Sequence, residues 1–411
     1  MTAQHNTSGG AGRLDLARWQ KLPLILAAAG GLLCLAGAFL APRQFGYSYL
    51  TAFVFFLSVC LGALFLVIMH HLFDTQWMVP LRRVWEHIAF LTPVMALLFV
   101  PIALNALLAG PDNLIYRWMA IDPHQDHALH VKQVLFNKPM FLIVAGLLFG
   151  AWAALTYGLR RQSLTQDRTG AAAQTIWMRR LSAGGIFVFA ITLTLGSIYW
   201  IKSLEHQWFS TMFGVYYFAG SVWVTLATTY VLALVLQRTG HLEPILRAKT
   251  FHDLGVLFFA FTVFYAYITF SQYFLIWNAA LPEETFWYVK REQGAWFWVG
   301  MVIIFGHFFL PFLAMLRIDA KLHLPLMAPL CVWAWLMHYV DMTFCIKPLI
   351  NPHGPSPHWL DLAALAFIGG VLALVFIRYF KAHAPYPQRD PRIAETMGVY
   401  VPPAAAHHPA K

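Results

Sequence analysis

Charge is scarce in this chain. Asp, Glu, Lys and Arg make up 11% of its 411 residues, while 59% are hydrophobic and the mean hydropathy is +0.60. A chain of this length would ordinarily fold as two or three soluble domains, but so little charge excludes that surface and points to a polytopic membrane protein. Cysteine is scarce as well: Cys34, Cys60, Cys331 and Cys345 all fall within apolar segments, with no CxxC and no CxxCH pairing. That excludes a disulfide framework, an iron–sulfur cradle and covalent haem, and leaves four small buried hydrophobes. A Gly-rich phosphate loop, an HExxH pair and a Ser/His/Asp order are also missing, so soluble-type enzymology has no foothold and no catalytic residue is assigned. Acids are fewer than bases, giving a formal charge of +10. In a membrane protein such a surplus reflects loops held on the cytoplasmic side, not nucleic-acid binding.

What is present is a series of long apolar runs. Residues 1–17 are polar and rich in Gly and Ser, which predicts a disordered cytoplasmic lead. Arg18 and Lys21 then precede an uncharged run, 22–41, longer than the ~7–15-residue core of a secretory signal, so an uncleaved first helix is expected. Further runs cover 48–72, 84–108, 139–159, 182–201, 211–236, 253–277, 295–316, 325–346 and 360–380. About 20 residues at ~1.5 Å each cross a ~30 Å hydrocarbon core. The sequence therefore predicts an all-α fold with about ten transmembrane helices within 18–380. A Pro-rich tail, 381–411, is expected to be disordered.

Of the 28 Lys and Arg residues, 20 fall on the side that holds the N-terminus and 8 on the other. The positive-inside rule then puts both termini in the cytoplasm. A miscounted helix would scramble this bias, so it also supports the count of ten. The outer loops, 109–138, 202–210, 278–294 and 347–359, are rich in Trp, Tyr, His and acids, as suits a surface that meets another protein.

One stretch, 251–291, combines these features. It opens with His252 and Asp253, runs apolar to Trp277 and closes on Glu283 and Glu284. Within it Thr262, Tyr265, Thr269 and Gln272 recur at three- and four-residue steps, which lines a polar seam along one helical face. In lipid such a seam seeks a protein or water partner, so this helix belongs inside a bundle.

Ionisable groups at membrane depth are the other outliers, because a buried charge is costly and is rarely kept without use. Glu86 and His87 lie near the inner end of the third run, Asp253 near that of the seventh, and His307 midway along the eighth. His338 and Asp341, in the outer half of the ninth, are i and i+3 and share a face. Together the six form a candidate proton path with inner, middle and outer stations. For Glu86 and Asp253 a helix N-cap is the competing reading. His307 and His338 do not make the usual facing pair of a membrane haem. His124, His127 and His130 at i, i+3 and i+6 offer a possible zinc arrangement in an outer loop, set against a solvated loop helix that faces a partner. A weak repeat is also visible: His70 and His71 before Arg83, Glu86 and His87 match His241 before Lys249, His252 and Asp253. It divides helices 2–9 into two four-helix units, about 48–201 and 211–346, of equal orientation.

At SLEHQWFSTMFGVYYFAGSVW (203–223) and HDLGVLFFAFTVFYAYITFSQYFLIWNAALPEETFWYVKR (252–291) the chain resembles a known family. WMVPLRRVWEHIA (77–89), LRRQSLTQD (159–167) and HFFLPFLAMLRIDAK (307–321) support it. The chain is similar to the ActF-like, NrfD-related membrane subunits of bacterial alternative complex III, a quinol:cytochrome c or quinol:oxidase oxidoreductase of the inner membrane. The resemblance implies ten helices in two four-helix bundles with two flanking helices, and a subunit with no cofactor of its own that supports electron transfer and conducts protons. It implies quinol as the substrate of the complex, and haem c and iron–sulfur clusters in partner subunits. Those partners would be an ActC-like membrane subunit, an iron–sulfur protein, a multihaem cytochrome c and a terminal oxidase. A quinone-binding role for this chain and an independent secondary transporter are the alternative readings. Against the transporter, the prolines lie mostly at helix ends and not at mid-membrane breaks.

Overall fold

The computed structural model describes residues 21–243 and 245–397; the disordered lead expected over 1–17 and the end of the tail, 398–411, lie outside them. Among the described residues the fold is all-α, without strands, and ten helices are long and apolar enough to cross a membrane. They are α1 (Leu22–Leu40), α2 (Pro42–Phe73), α3 (Val79–Leu108), α4 (Lys138–Thr169), α5 (Ala172–Trp200), α6 (Phe213–Arg238), α7 (Ala248–Ala279), α8 (Trp296–Met315), α9 (Leu324–Leu349) and α10 (Trp359–Ala382). This is a multi-pass membrane architecture. Both α1 and α10 have their outward ends on one side, called here the terminal face.

Most helices outrun the apolar segments that mark them. Helix α4 continues through Arg160, Arg161 and Asp167 to Thr169, and α7 begins at Ala248, five residues ahead of Asp253. Hydropathy reports only the part that lies in hydrocarbon, while a helix ends where its backbone is capped. Two spans are irregular. Helix α3 is three segments, Val79–Ala89, Thr92–Leu98 and Val100–Leu108, each with a proline in its opening turn. In α8 the residues Ile303–Phe309 form a π-helical turn ahead of Pro311. Pro311 has no N–H to offer the carbonyl four residues earlier, at His307, so the helix widens there.

Helices α2–α5 pack as one unit and α6–α9 as another, while α1 and α10 pair with each other and lie along α2. The two units meet chiefly through α2 and α6. Helix α2 is buried almost throughout from Gly46 to His71, as its all-round apolar sequence requires. Small residues set the approach: a Cβ on Gly62 would lie 2.2 Å from Thr225 Oγ1 and 2.4 Å from the Ser221 carbonyl oxygen. Helices α1 and α10 cross just as closely, because a Cβ on Gly30 would stand 2.5 Å from the backbone N of Phe367.

The tail departs from expectation. Residues 383–397 are not loose but lie against the terminal face. The backbone N–H of Gln388 donates to Asp167, the Arg389 guanidinium donates to the Arg168 carbonyl, and Asp390 is ion-paired to Arg82. The segment is anchored by charged groups and has almost no apolar periodicity, so composition alone reads as disorder.

Candidate functional site

The π turn of α8 decides where His307 sits. It rotates the ring into the second unit, between Trp223 of α6 and Tyr265 of α7, with centroids 3.8 Å from each and interplanar angles of 18° and 20°. Trp333 of α9 donates its indole N–H to the Gly306 carbonyl over 2.8 Å, which holds the widened turn. On α9, His338 and Asp341 present one face inward, as their i, i+3 spacing requires. His307, His338 and Asp341 are all fully buried, and each offers a ligand-type atom within 4.8 Å of the others.

Their hydrogen bonds are only half made. His338 Nε2 lies 2.9 Å from Ser58 Oγ of α2, and Asp341 accepts a short hydrogen bond from the Tyr216 hydroxyl of α6. Both ring nitrogens of His307 and Nδ1 of His338 make no hydrogen bond to protein, and Oδ2 of Asp341 and the Tyr265 hydroxyl make none of ordinary geometry, although Tyr265 and Asp341 interact with each other. Open polar atoms around one buried point cost several kcal/mol unless protons or water use them. Ligand atoms within 4.8 Å of one another are close enough for one bridging water to join them, and the same grouping could hold a metal ion. The cluster has the spacing of a hydrogen-bond relay.

A polar chain leads from Asp341 to the face opposite the termini. The Tyr216 hydroxyl is 3.4 Å from Cys345 Sγ, the Cys345 carbonyl accepts from Arg291 over 2.8 Å, and Arg291 pairs with Glu205 at 3.0 Å. Glu205 also accepts from Lys290 at 3.0 Å, and the Lys290 side chain is 55% exposed, so the chain reaches solvent. Arg291 itself is buried, its guanidinium 3.6 Å above the Trp287 ring. The seam residues line this region. Thr262 accepts from the Trp223 indole over 2.8 Å, Tyr265 stacks on His307, Thr269 donates to the Tyr265 carbonyl, and Gln272 joins Ser210 to Tyr288.

The remaining candidates lie elsewhere. Glu86 is in the first unit at the terminal face, 3.2 Å from Arg82 Nε in an ion pair too bent for a hydrogen bond, and 2.9 Å from Arg83. Arg83 also pairs with Asp167, and Arg392 joins Asp390 to Asp74. His87 is buried beside Phe376, Phe380 and His383, with no hydrogen bond to protein. Asp253 is half-buried near the start of α7 and faces His252 at 3.4 Å. Neither Glu86 nor Asp253 caps a helix, since α3 begins at Val79 and α7 at Ala248. The structure thus gathers three of the six proposed stations and leaves Glu86, His87 and Asp253 apart from them.

In the loop at 109–138, Asp126 caps the short helix His127–Lys132 and accepts from His206 at 2.8 Å. Burial would raise the Asp126 carboxyl, but hydrogen bonds from His206, Gln207 and the Leu129 N–H hold it down at about 2. His124 and His130 lie ring to ring at 5.6 Å, yet among the described residues the one gathered group of three metal-type ligands is His307, His338 and Asp341. Sequence reading missed Ser58, Tyr216, Trp223, Glu205 and Arg291. The motifs at 203–223 and 282–291 contain four of them, but nothing local pairs those segments. No protein-family model matches the chain, and a comparison with curated proteins gives no match either.

Proposed function

We propose that the chain is an integral subunit of a respiratory quinol oxidoreductase of the alternative complex III type, with no redox centre of its own, that conducts protons through His307, His338 and Asp341. The observation that carries the proton role is the buried cluster of half-satisfied imidazoles and carboxylate, connected by Tyr216, Arg291 and Glu205 to one face. A carboxyl and two imidazoles within water-bridging reach exchange protons at little cost once shielded from bulk solvent. The assembly role rests on the resemblance at 203–223 and 252–291. With the Lys and Arg bias placing the termini in the cytoplasm of a bacterial inner membrane, the Glu205–Arg291 end faces the periplasm, toward the iron–sulfur protein and multihaem cytochrome.

The test is the assembled complex in vesicles, carrying Asp341→Asn. Proton movement per electron is expected to fall while quinol oxidation persists; an unchanged ratio overturns the proton role. Purification of the chain without cytochrome and iron–sulfur partners overturns the assembly role.

A second reading, quinone binding by this chain, is favoured by one observation. A lateral cleft of about 460 Å³ opens among α1, α2, α9 and α10, walled by Phe55, Phe56, Trp335 and Tyr339. Its volume suits a small ligand. The Phe55 ring centroid lies 5.6 Å from that of His338. Photo-crosslinking by an azidoquinone at Phe55 or Tyr339 is the expected result of that reading, and labelling confined to a partner subunit overturns it.

A further inference from the structure

The hydroxyl of Ser58 lies in α2, in the first helical unit, and its side-chain partner His338 lies in the second. Its Oγ is 2.6 Å from the Phe55 carbonyl oxygen, which can only accept, so the hydroxyl proton is committed there. The same Oγ is 2.9 Å from His338 Nε2. With its proton spent, Oγ must accept in that second bond, and Nε2 must carry the hydrogen. A neutral imidazole protonated at Nε2 has its lone pair at Nδ1. That nitrogen makes no hydrogen bond to protein.

The surroundings keep Nδ1 clear. A Cβ on Gly220 would stand 2.9 Å from His338 Cε1 and 3.3 Å from Nδ1, so any larger residue would press on that edge of the ring. Tyr216, one turn earlier on the same face of α6, engages one carboxylate oxygen of Asp341 and leaves the other without a hydrogen bond of ordinary geometry.

We infer that Ser58 is a positioning residue that locks His338 as the Nε2–H tautomer, so that Nδ1 is the nitrogen that takes and returns the relayed proton. The inference rests on the proton-conducting reading above. In the step, the carboxyl O–H of Asp341 breaks and an N–H forms at His338 Nδ1, giving carboxylate and imidazolium. Loss of the same Nδ1 proton to an open ring nitrogen of His307, which becomes an N–H of that ring, restores neutral His338, and the Nε2–H bond to Ser58 is kept throughout. A hydroxyl of one helical unit thereby sets the proton-accepting atom of the other.

The test uses the whole complex in vesicles, with isotope-labelled histidine and a His338→Gln control to assign the ring vibrations of His338. The wild type is expected to show the Nε2–H tautomer. Ser58→Ala is expected to add the Nδ1–H form and to lower proton movement per electron about tenfold, as loss of one hydrogen bond allows. Ser58→Thr, which keeps the hydroxyl, is expected to restore both. Gly220→Ala is expected to keep the Nε2–H signature while proton movement falls, because it crowds Nδ1 without touching Ser58. An Nδ1–H signature in the wild type, or an unchanged one in Ser58→Ala, overturns the inference whatever proton movement does. A normal proton ratio in Asp341→Asn with a tautomer shift in Ser58→Ala instead overturns the proton-conducting reading alone.

Discussion

Asp390, eight residues beyond the last spanning helix, is ion-paired to Arg82 at the start of α3, and neither side chain touches solvent. The pair fastens the segment after α10 to the first helical unit. Around it, Arg392 reaches Asp74, and Asp74 also holds Arg179 at 2.5 Å. The terminal face is thus closed by alternating charges that belong to four separate stretches of chain.

Replacing Asp390 by Ala leaves Arg82 buried with Glu86 as its remaining acid. A buried charge stripped of one partner costs on the order of 3 kcal/mol, so the melting temperature in detergent should drop. Trypsin should then cut at Arg389 and Arg392 in the folded protein. Resistance of the variant at these sites would show that the tail is held by other contacts.

Asp390 also predicts a pH limit for this closure. Burial alone would raise its carboxyl, but the hydrogen bond from Arg392 and the charges of Arg82 and Arg392 hold it at about 2, below the ordinary 3.8. A carboxyl lowered on folding stabilises above its unfolded value and loses that contribution as pH falls toward the folded one. Protection of 383–397 should therefore be constant from about pH 8 to 5 and be lost between about pH 4 and 2. Hydrogen–deuterium exchange at each pH, quenched and then read by peptide mass analysis, measures it.

Gly62→Ala places a methyl against Thr225 and the Ser221 carbonyl. Overpacking of this kind costs about 1–3 kcal/mol, and a backbone obstacle cannot swing aside. Ser58 is one turn away on the same face of α2, so parting α2 from α6 should also lengthen the bond to His338. A lower melting temperature together with reduced proton movement per electron is expected.

Arg291→Met removes the bonds to Glu205 and to the carbonyls of Phe344 and Cys345. About 2 kcal/mol of stability should go with them. Glu205→Gln keeps the shape of the contact and should slow proton exchange at the cluster with a smaller loss of stability. Hydrogen exchange and thermal unfolding of the two variants separate these effects.

How much of this could be read from residues alone differs from part to part. Ten apolar runs and the all-α class follow from composition, because ~20 uncharged residues in lipid have only a helix to satisfy their backbone. The i, i+3 pairing of His338 and Asp341 and the inward face of Thr262, Tyr265 and Gln272 follow from helical period. The competing cap readings of Glu86 and Asp253 failed because an acid near the end of an apolar run need not be near the end of a helix. The packing of 383–397 is illegible for a related reason, since Asp390 is a single residue with no pattern around it.

The sequence by itself determined which residues are in the membrane and which few polar groups go in with them, since hydrocarbon sorts side chains one helix at a time. Only the tertiary structure decided that His307 joins His338 and Asp341 while Glu86 is locked between arginines. That choice depends on the π turn ahead of Pro311 and on the contact of α2 with α6 across Gly62. Both are matters of packing between segments far apart in the chain, which no local pattern records.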